Sequence, residues 1–152
     1  MREKLTVDVT AEICSHCLCF LAQRAARAMA KRFDNAFRDI GLTNGQFSLL
    51  ISLNRPAAPR VKDVASTLGM DETTVTAALK PLARRGLAEI RPDPGDARTK
   101  RLFLTAAGTA LLERAVPIWR ATHEGMERSI GSRDHRRRFK NDLVAVGMGR
   151  NV

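Results

Sequence analysis

Two stretches of the sequence decide the fold: residues 69–87 read GMDETTVTAALKPLARRGL, and residues 93–108 read DPGDARTKRLFLTAAG. In the first, apolar residues recur at helical spacing between Asp71, a favourable N-cap, and Gly86, which favours a helix end. A shorter helical pattern lies just upstream and ends at Gly69; its apolar residues are Val61, Val64, Ala65 and Leu68. Two short helices joined by a tight turn that contains Gly predict a helix-turn-helix.

The second stretch predicts a pair of strands. Apolar and polar residues alternate over residues 87–91 and again over residues 100–104, which is typical of half-buried strands. Residues 92–98 between them are rich in Pro, Gly and charge, and they predict a loop longer than a tight hairpin needs. A loop held out by two strands directly after a helix-turn-helix is a wing, so residues 55–104 are predicted to form a winged helix-turn-helix.

Amphipathic helices are predicted on both sides of this unit. Apolar residues recur at spacings of three and four over residues 12–40, which predicts one long helix that ends at Gly41. Three further helices follow the same rhythm, and their candidate N-caps are Thr43, which has Gln46 at capping-box spacing, Thr105 and Ser132.

The length of the first helix bears on assembly. A helix over residues 12–40 spans roughly 40 Å at 1.5 Å per residue, which is longer than the globule it would cover. The simplest use of its surplus apolar face is a homodimer. The expected fold class is mainly α with a small β-hairpin wing (α+β), a single domain in which residues 12–54 and 105–146 form dimerisation helices around the winged helix-turn-helix.

The charge balance indicates the kind of partner. The chain of 152 residues has 26 Lys and Arg against 16 Asp and Glu, a net charge of +10. Such an excess favours a polyanion, with nucleic acid ahead of an acidic membrane surface. The sequence has no Tyr and one Trp, too few aromatic residues for a base-stacking platform, so double-stranded DNA is the expected partner.

Several classes of protein are disfavoured. No apolar run approaches the ~18 residues that cross a bilayer, and residues 1–10 lack the apolar core of a secretory signal, so no membrane association is expected. Three clustered Cys residues cannot staple a secreted fold, which favours the cytoplasm, on the bacterial nucleoid when DNA is bound. Without a G-x-S-x-G, H-E-x-x-H or Gly-rich phosphate motif, neither an enzyme nor a cofactor is expected.

The two quoted stretches resemble the MarR family of bacterial winged-helix regulators. The matching features are a Thr-rich recognition helix that ends in Gly86-Leu87, a D-x-R wing tip at Asp96–Arg98, and a Leu-Thr-x-x-Gly pattern that ends at Gly108. The resemblance covers about residues 12–146. It implies an obligate homodimer with interlocked terminal helices, usually a repressor, that binds a pseudo-palindromic operator.

The resemblance also implies where DNA binds: residues 72–85 enter the major groove and the wing enters the minor groove. Thr side chains at the start of the recognition helix suit base edges, whereas Lys and Arg further along suit phosphates. Asp96 is expected to orient Arg98 at the wing tip, and Ala77 stands where many relatives have Arg, so base readout is thinner. The candidate DNA-binding residues are Thr73, Thr74, Thr76, Ala77, Lys80, Arg84, Asp96, Arg98 and Lys100.

An effector crevice is implied between the dimerisation helices and the winged unit. Its candidate walls are Arg27, Phe33, Phe37, Phe47 and Trp119. An Arg among aromatic residues suits a small aromatic or phenolic carboxylate. Such a ligand would make the regulator responsive to a metabolite.

The cysteines at positions 14, 17 and 19 leave three interpretations open. A metal site is disfavoured, because only Cys14 and Cys17 share a helix face, so no metal is expected. The second interpretation is a peroxide or redox sensor, since the stretch around Cys19 resembles the organic-hydroperoxide-sensing branch; without Tyr, Arg24 or Arg27 would have to stabilise a thiolate. The third is a set of small apolar residues buried at the dimer core. A non-specific architectural nucleic-acid-binding protein remains the alternative to a specific regulator.

Overall fold

The computed structural model describes residues 4–148, and its elements follow the predicted order. The helices are α1 (Val7–His16), α2 (Leu18–Ala36), α3 (Asn44–Leu53), α4 (Val61–Leu68), α5 (Glu72–Arg84), α6 (Ala106–Glu127) and α7 (Arg133–Gly147). The strands are β1 (Ala88–Asp93) and β2 (Asp96–Leu104), and short 3₁₀ turns lie at Arg38–Ile40 and Arg128–Ile130. The mainly helical winged helix-turn-helix class is confirmed.

Local capping explains why the helices begin where they do. Thr43 and Gln46 form the reciprocal capping box at the start of α3. Thr105 and Ser132 accept hydrogen bonds from Gly108 N and His135 N at the starts of α6 and α7. These three predicted N-caps are confirmed.

The helix-turn-helix depends on one glycine and one aspartate. Gly69 has φ +63°, a left-handed conformation that ends α4 and that L side chains rarely adopt. The carboxylate of Asp71 accepts hydrogen bonds from the Thr74 backbone N–H at 2.7 Å and from the Thr74 hydroxyl at 2.6 Å. These bonds, the hydroxyl first, lower the pKa of Asp71 and fix the first turn of α5.

The wing differs from the prediction. β1 and β2 extend to Asp93 and from Asp96, so the turn is only Pro94-Gly95, and the expected loop over residues 92–98 is wrong. The register shifts between the pairs Pro92–Lys100 and Asp93–Asp96, so residues 97–99 have no partner on β1. The Asp93 carboxylate stabilises the turn by accepting from Gly95 N at 2.8 Å. This end of the hairpin lacks the alternation of apolar and polar residues that reveals a strand.

The single helix predicted over residues 12–40 is also wrong. It breaks at Cys17, whose backbone is extended with ψ 112°, and it ends at Ala36 before the 3₁₀ turn. Just before the break, the Ser15 hydroxyl donates to the Ala11 carbonyl at 2.6 Å and the His16 ring lies 3.1 Å from the Glu12 carbonyl. Side chains that bind the carbonyls of the preceding turn weaken and bend a helix.

A single hydrophobic core runs through α2–α6 and the wing. Because α3 packs against α4 and α5 as well as α2 and α6, this core continues across the predicted boundary between residues 54 and 55. By contrast, α1 and α7 contribute no buried residue, and α2 contributes only Phe33. Large apolar side chains on these three helices are exposed: Val7, Ile13, Leu18, Phe20, Leu21, Met29, Leu143, Val144 and Val146. In the part of the chain that the structure describes, no helix has the length and apolar character needed to cross a membrane.

Candidate nucleic-acid interface

The outer face of α5 carries a row of exposed side chains. Val75, Leu79 and Leu82 bury the inner face in the core. The exposed residues Thr73, Ala77, Lys80 and Arg84 follow at spacings of four, three and four, which places them on the opposite face of the helix. These four of the predicted DNA-binding residues of α5 therefore share one accessible surface.

The three threonines are not equivalent. The Thr74 hydroxyl donates to Asp71, and the Thr76 hydroxyl donates to the Glu72 carbonyl at 2.8 Å. Their hydrogens are used in these bonds, which leaves the methyl groups and the acceptor lone pairs of the hydroxyls for a partner. The Thr73 hydroxyl makes no hydrogen bond to any other residue between 4 and 148, so it keeps both its donor and its acceptors.

Asp96 shapes the wing tip through the backbone. Its carboxylate accepts from the Arg98 backbone N–H at 3.0 Å and from the Thr99 hydroxyl at 2.9 Å. The predicted orienting role thus acts on the main chain of Arg98, and the exposed guanidinium extends without a bond to that carboxylate.

Other basic residues of the wing have structural partners. Arg91 pairs with Glu89 and lies 4.7 Å from the centre of the Phe103 ring. Arg101 pairs with Asp93 and donates to the Ala58 carbonyl at 2.9 Å, which ties the wing to the loop before α4. The Arg101 hydrogen bond, followed by the one from Gly95, lowers the pKa of Asp93.

Four of the basic residues predicted to bind DNA have no ion pair in the part of the chain that the structure describes. Within residues 4–148, the structure shows no ion pair for Lys80, Arg84, Arg98 or Lys100. All four are exposed. The sequence assigns Lys80 and Arg84 to phosphates and Arg98 to the minor groove, and it counts Lys100 among the DNA-binding residues.

A groove of about 300 Å³ lies between the start of α4, the start of α5 and β2. It brings Thr76 of α5 next to Arg98 and Lys100 of the wing. It also contains two cations that sequence reasoning missed, Arg60 and Lys62. Their position in the sequence could have revealed them, because both lie at the start of α4. This helix is the first of the helix-turn-helix, and in such proteins the first helix crosses the DNA backbone.

The predicted effector residues do not form one site. Phe37 is fully buried and packs between Phe33 and Phe47, with ring centroids 5.8 and 5.0 Å away, so these rings are core. Arg27 lies on the exposed part of α2 and donates to Gln23 at 2.9 Å. Helical spacing identifies the apolar positions, but it does not distinguish residues of the hydrophobic core from residues that line a crevice.

A crevice of about 630 Å³ does exist between α3, α4 and α6, and its lining is mainly apolar. Phe47 and Trp119 from the predicted set line it, together with Ile51. Its cations, Arg55 and Arg120, were not predicted. Arg55 is held by the Ser52 carbonyl at 2.9 Å and the Thr67 hydroxyl at 2.6 Å, whereas Arg120 is exposed at the edge.

The cysteines lie at the junction of α1 and α2. Cys14 and Cys19 are exposed, and Cys17 is partly buried at the break, so one chain alone does not bury them as small apolar residues. Residues 4–148 contain no cluster of three His, Cys, Asp or Glu side chains able to hold a metal. The Cys19 Sγ accepts from the Gln23 amide at 3.1 Å, and the Gln23 oxygen accepts from Arg27.

Comparisons with known proteins agree with this geometry. Residues 42–100 match the model of the MarR family. The HTH-type transcriptional repressor NicR of Pseudomonas putida is 29% identical over 104 residues, which are 68% of this chain and 66% of NicR. The stretches matched in the first three curated relatives span between 48% and 66% of their lengths.

Solved structures extend the match over most of the chain. The transcriptional regulator MosR of M. tuberculosis in complex with DNA is 36% identical, with a TM-score of 0.78 over 87% of this chain and 94% of MosR. Bordetella bronchiseptica BpsR, whose DNA binding is regulated by 6-hydroxynicotinic acid, is 27% identical, with a TM-score of 0.76 over 87% of this chain and 94% of BpsR. The chain has a winged unit with a free cationic face, and it matches regulators of one family at these sequence identities and coverages. The chain therefore belongs to the MarR family.

Proposed function

We propose that the protein is a homodimeric transcriptional regulator, usually a repressor in this family, that binds a pseudo-palindromic duplex through α5 and the wing. The observation that carries the proposal is the set of unpaired cations on that face, Lys80, Arg84, Arg98 and Lys100, around the free hydroxyl of Thr73. Cations of this kind neutralise phosphates and hold the helix in register, while the Thr side chain reads a base edge. The protein is proposed to act in the cytoplasm, on the nucleoid when bound.

The proposed dimer explains the helices that contribute nothing to the core. Val7, Ile13, Leu143 and Val146 are between 47% and 84% exposed in one chain, on the two helices without buried residues. Apolar surface of this kind on both terminal helices supports an interface with a second copy. Two recognition helices at a fixed spacing then select half-sites about one helical turn apart.

The proposed effector is a small aromatic or phenolic acid. Phe47 and Trp119 line the crevice, with Arg55 fixed in its wall and Arg120 at its edge. An aromatic ring between apolar walls with a carboxylate on a guanidinium fits that chemistry. The control of BpsR by 6-hydroxynicotinic acid supports the same ligand class.

Fluorescence anisotropy tests the main proposal. Duplex DNA from upstream of the protein's own gene is compared with a shuffled duplex at about 150 mM salt; we expect a preference of about 10³ or more. Arg98→Ala should weaken binding about tenfold or more without dissociating the dimer, whereas Arg128→Ala, an exposed cation beyond the far end of α6, should not. Equal affinity for both duplexes would leave a non-specific architectural protein as the better assignment.

A second candidate function is thiol-based sensing through Cys19, and it rests on one series of hydrogen bonds. Arg27 donates to Gln23, and Gln23 donates to the exposed Cys19 sulfur, so a cation lies two hydrogen bonds from the thiol. Cysteines react as thiolates, and reactive cysteines as a class lie in electropositive, partly exposed surroundings. Peroxide treatment should then release the wild-type protein from DNA and leave the Cys19→Ser variant bound; release of both would reject the assignment.

A further inference from the structure

The groove between α4, α5 and the wing contains a residue that opposes DNA. Glu72, the first residue of α5, lines it with Arg60, Lys62, Arg98 and Lys100. Among the described residues that line this groove, Glu72 has the only carboxylate. A negative charge on a surface that receives phosphates needs a physical reason.

Ion pairing within the protein does not supply that reason. In the structure of residues 4–148, no cation lies within 4.0 Å of the Glu72 carboxylate. The hydrogen bond from Thr76 uses the backbone carbonyl of Glu72 and leaves its side chain free. The carboxylate is therefore available to whatever enters the groove.

The chemistry of DNA gives this carboxylate two opposite effects. Phosphate and sugar oxygens offer negative charge and hydrogen-bond acceptors, which an ionised carboxylate can only repel. The major groove also presents the exocyclic amines of cytosine and adenine, and cytosine N4 is the usual donor to Glu. A carboxylate in this position lowers the affinity for DNA that offers only its sugar-phosphate backbone. This loss is compensated only where a base amine faces the carboxylate.

We propose, on the basis of the DNA-binding function above, that Glu72 is a specificity determinant. Its carboxylate lowers affinity for DNA of unrelated sequence, and in the preferred site it accepts a hydrogen bond from a base amine, a cytosine N4 by its chemistry. The affinity for the DNA backbone comes from four cations, Arg60, Lys62, Arg98 and Lys100. Glu72 limits tight binding to DNA sites where a base amine faces its carboxylate.

Glu72→Gln tests the proposal because it removes the charge and keeps the shape of the side chain. The preferred site is first selected from a pool of randomised duplexes with the wild-type protein. Anisotropy then measures the affinity of the wild type and the variant for that site and for its shuffled version, over a salt series. The variant should bind the shuffled duplex about 3- to 10-fold more tightly, as expected for one charge near phosphates at physiological salt. Its preference for the selected site should fall by at least that factor.

A matched control separates a local effect from a change in net charge. Glu124→Gln changes the net charge equally, and Glu124 lies about 27 Å along α6 from Ala106, several screening lengths from the winged end of that helix. Its affinities should stay within about twofold of the wild type, because screening removes charge effects at that range.

A merely structural role gives a different result. An acidic residue in the first turn stabilises a helix, so the Gln variant would then lose stability and bind both duplexes more weakly. Weaker or unchanged binding to the shuffled duplex, or an unchanged preference, overturns the proposal while the DNA-binding function stands. A wild type that selects no sequence overturns both.

Discussion

Gly108 offers the sharpest test of how the winged unit is joined to α6. A Cβ built at Gly108 lies 2.1 Å from the backbone oxygen of Leu87 and 2.8 Å from a methyl carbon of Leu104. The first of these neighbours is main chain, and it also accepts a hydrogen bond from Thr105 N at 3.2 Å, so it cannot move without breaking that bond. Gly108→Ala must therefore push the start of α6 away from the wing.

The expected change in the free energy of unfolding is the balance of a steric loss and a gain in helix propensity. Overpacking and the backbone shift cost about 1–3 kcal/mol or more, and the weakened Thr105 bond costs about 1 kcal/mol. Ala is about 1 kcal/mol more favourable than Gly within a helix, which offsets part of the loss. A net loss of about 1–3 kcal/mol lowers Tm by roughly 2–12 °C in a domain of this size.

The same helix supplies the control. A Cβ at Gly125 meets only an Arg128 guanidinium nitrogen at 3.8 Å, an ordinary contact. Gly125→Ala should therefore stabilise α6 by up to about 1 kcal/mol, so the two Gly→Ala changes differ in sign. Thermal unfolding by circular dichroism, at equal protein concentration, measures both. A Gly108→Ala variant as stable as the wild type would refute the close approach and the role of this glycine in joining the two parts.

Three further outcomes are expected. Asp93→Asn removes the ion pair that ties Arg101 to the wing turn, and it should lower DNA affinity in anisotropy while dimer mass by light scattering stays unchanged; unaltered affinity would show that the wing needs no such tie. Because the pKa of Asp71 is lowered in the folded state, its contribution to stability is complete at neutral pH and is lost as pH falls below about 4, so Asp71→Asn should flatten the decline of Tm between pH 5 and pH 3. Hydroxybenzoates should change the fluorescence of the one Trp, Trp119, and Arg120→Ala should weaken that response, whereas a response that ignores Arg120 would place the carboxylate elsewhere.

Features that depend on nearby residues could be predicted from the sequence. The Thr43 and Thr105 caps, the turn at Gly69 and the order of helices each follow from a few adjacent side chains. The break at Cys17 could not be predicted, because apolar spacing continues across it while Ser15 and His16 bind the preceding carbonyls. Periodicity records which face is apolar, and it does not record where the backbone turns.

The site was predictable where it lies on one element and not where several elements meet. The row on α5 follows from helical spacing alone. The groove joins Arg60 to Arg98, and the crevice joins Arg55 to Trp119, across contacts that only the folded chain creates. Phe37 was assigned to the crevice because an aromatic residue on an apolar stripe is equally compatible with core and with a binding wall.

The arrangement of the crevice indicates how a ligand would reach the DNA-binding face. Its walls come from α3, α4 and α6, so its occupant contacts the helix before α5 and the helix that leads to the proposed dimer interface. At Gly108, α6 lies directly against the strand region of the wing, and this contact leaves no room for an intervening atom. We therefore expect a ligand that tilts α6 relative to α4 to move the wing with it and to change the spacing of the two recognition helices in the proposed dimer. A coupling of about 1–3 kcal/mol, which corresponds to roughly 5- to 150-fold in affinity, then suffices to release DNA.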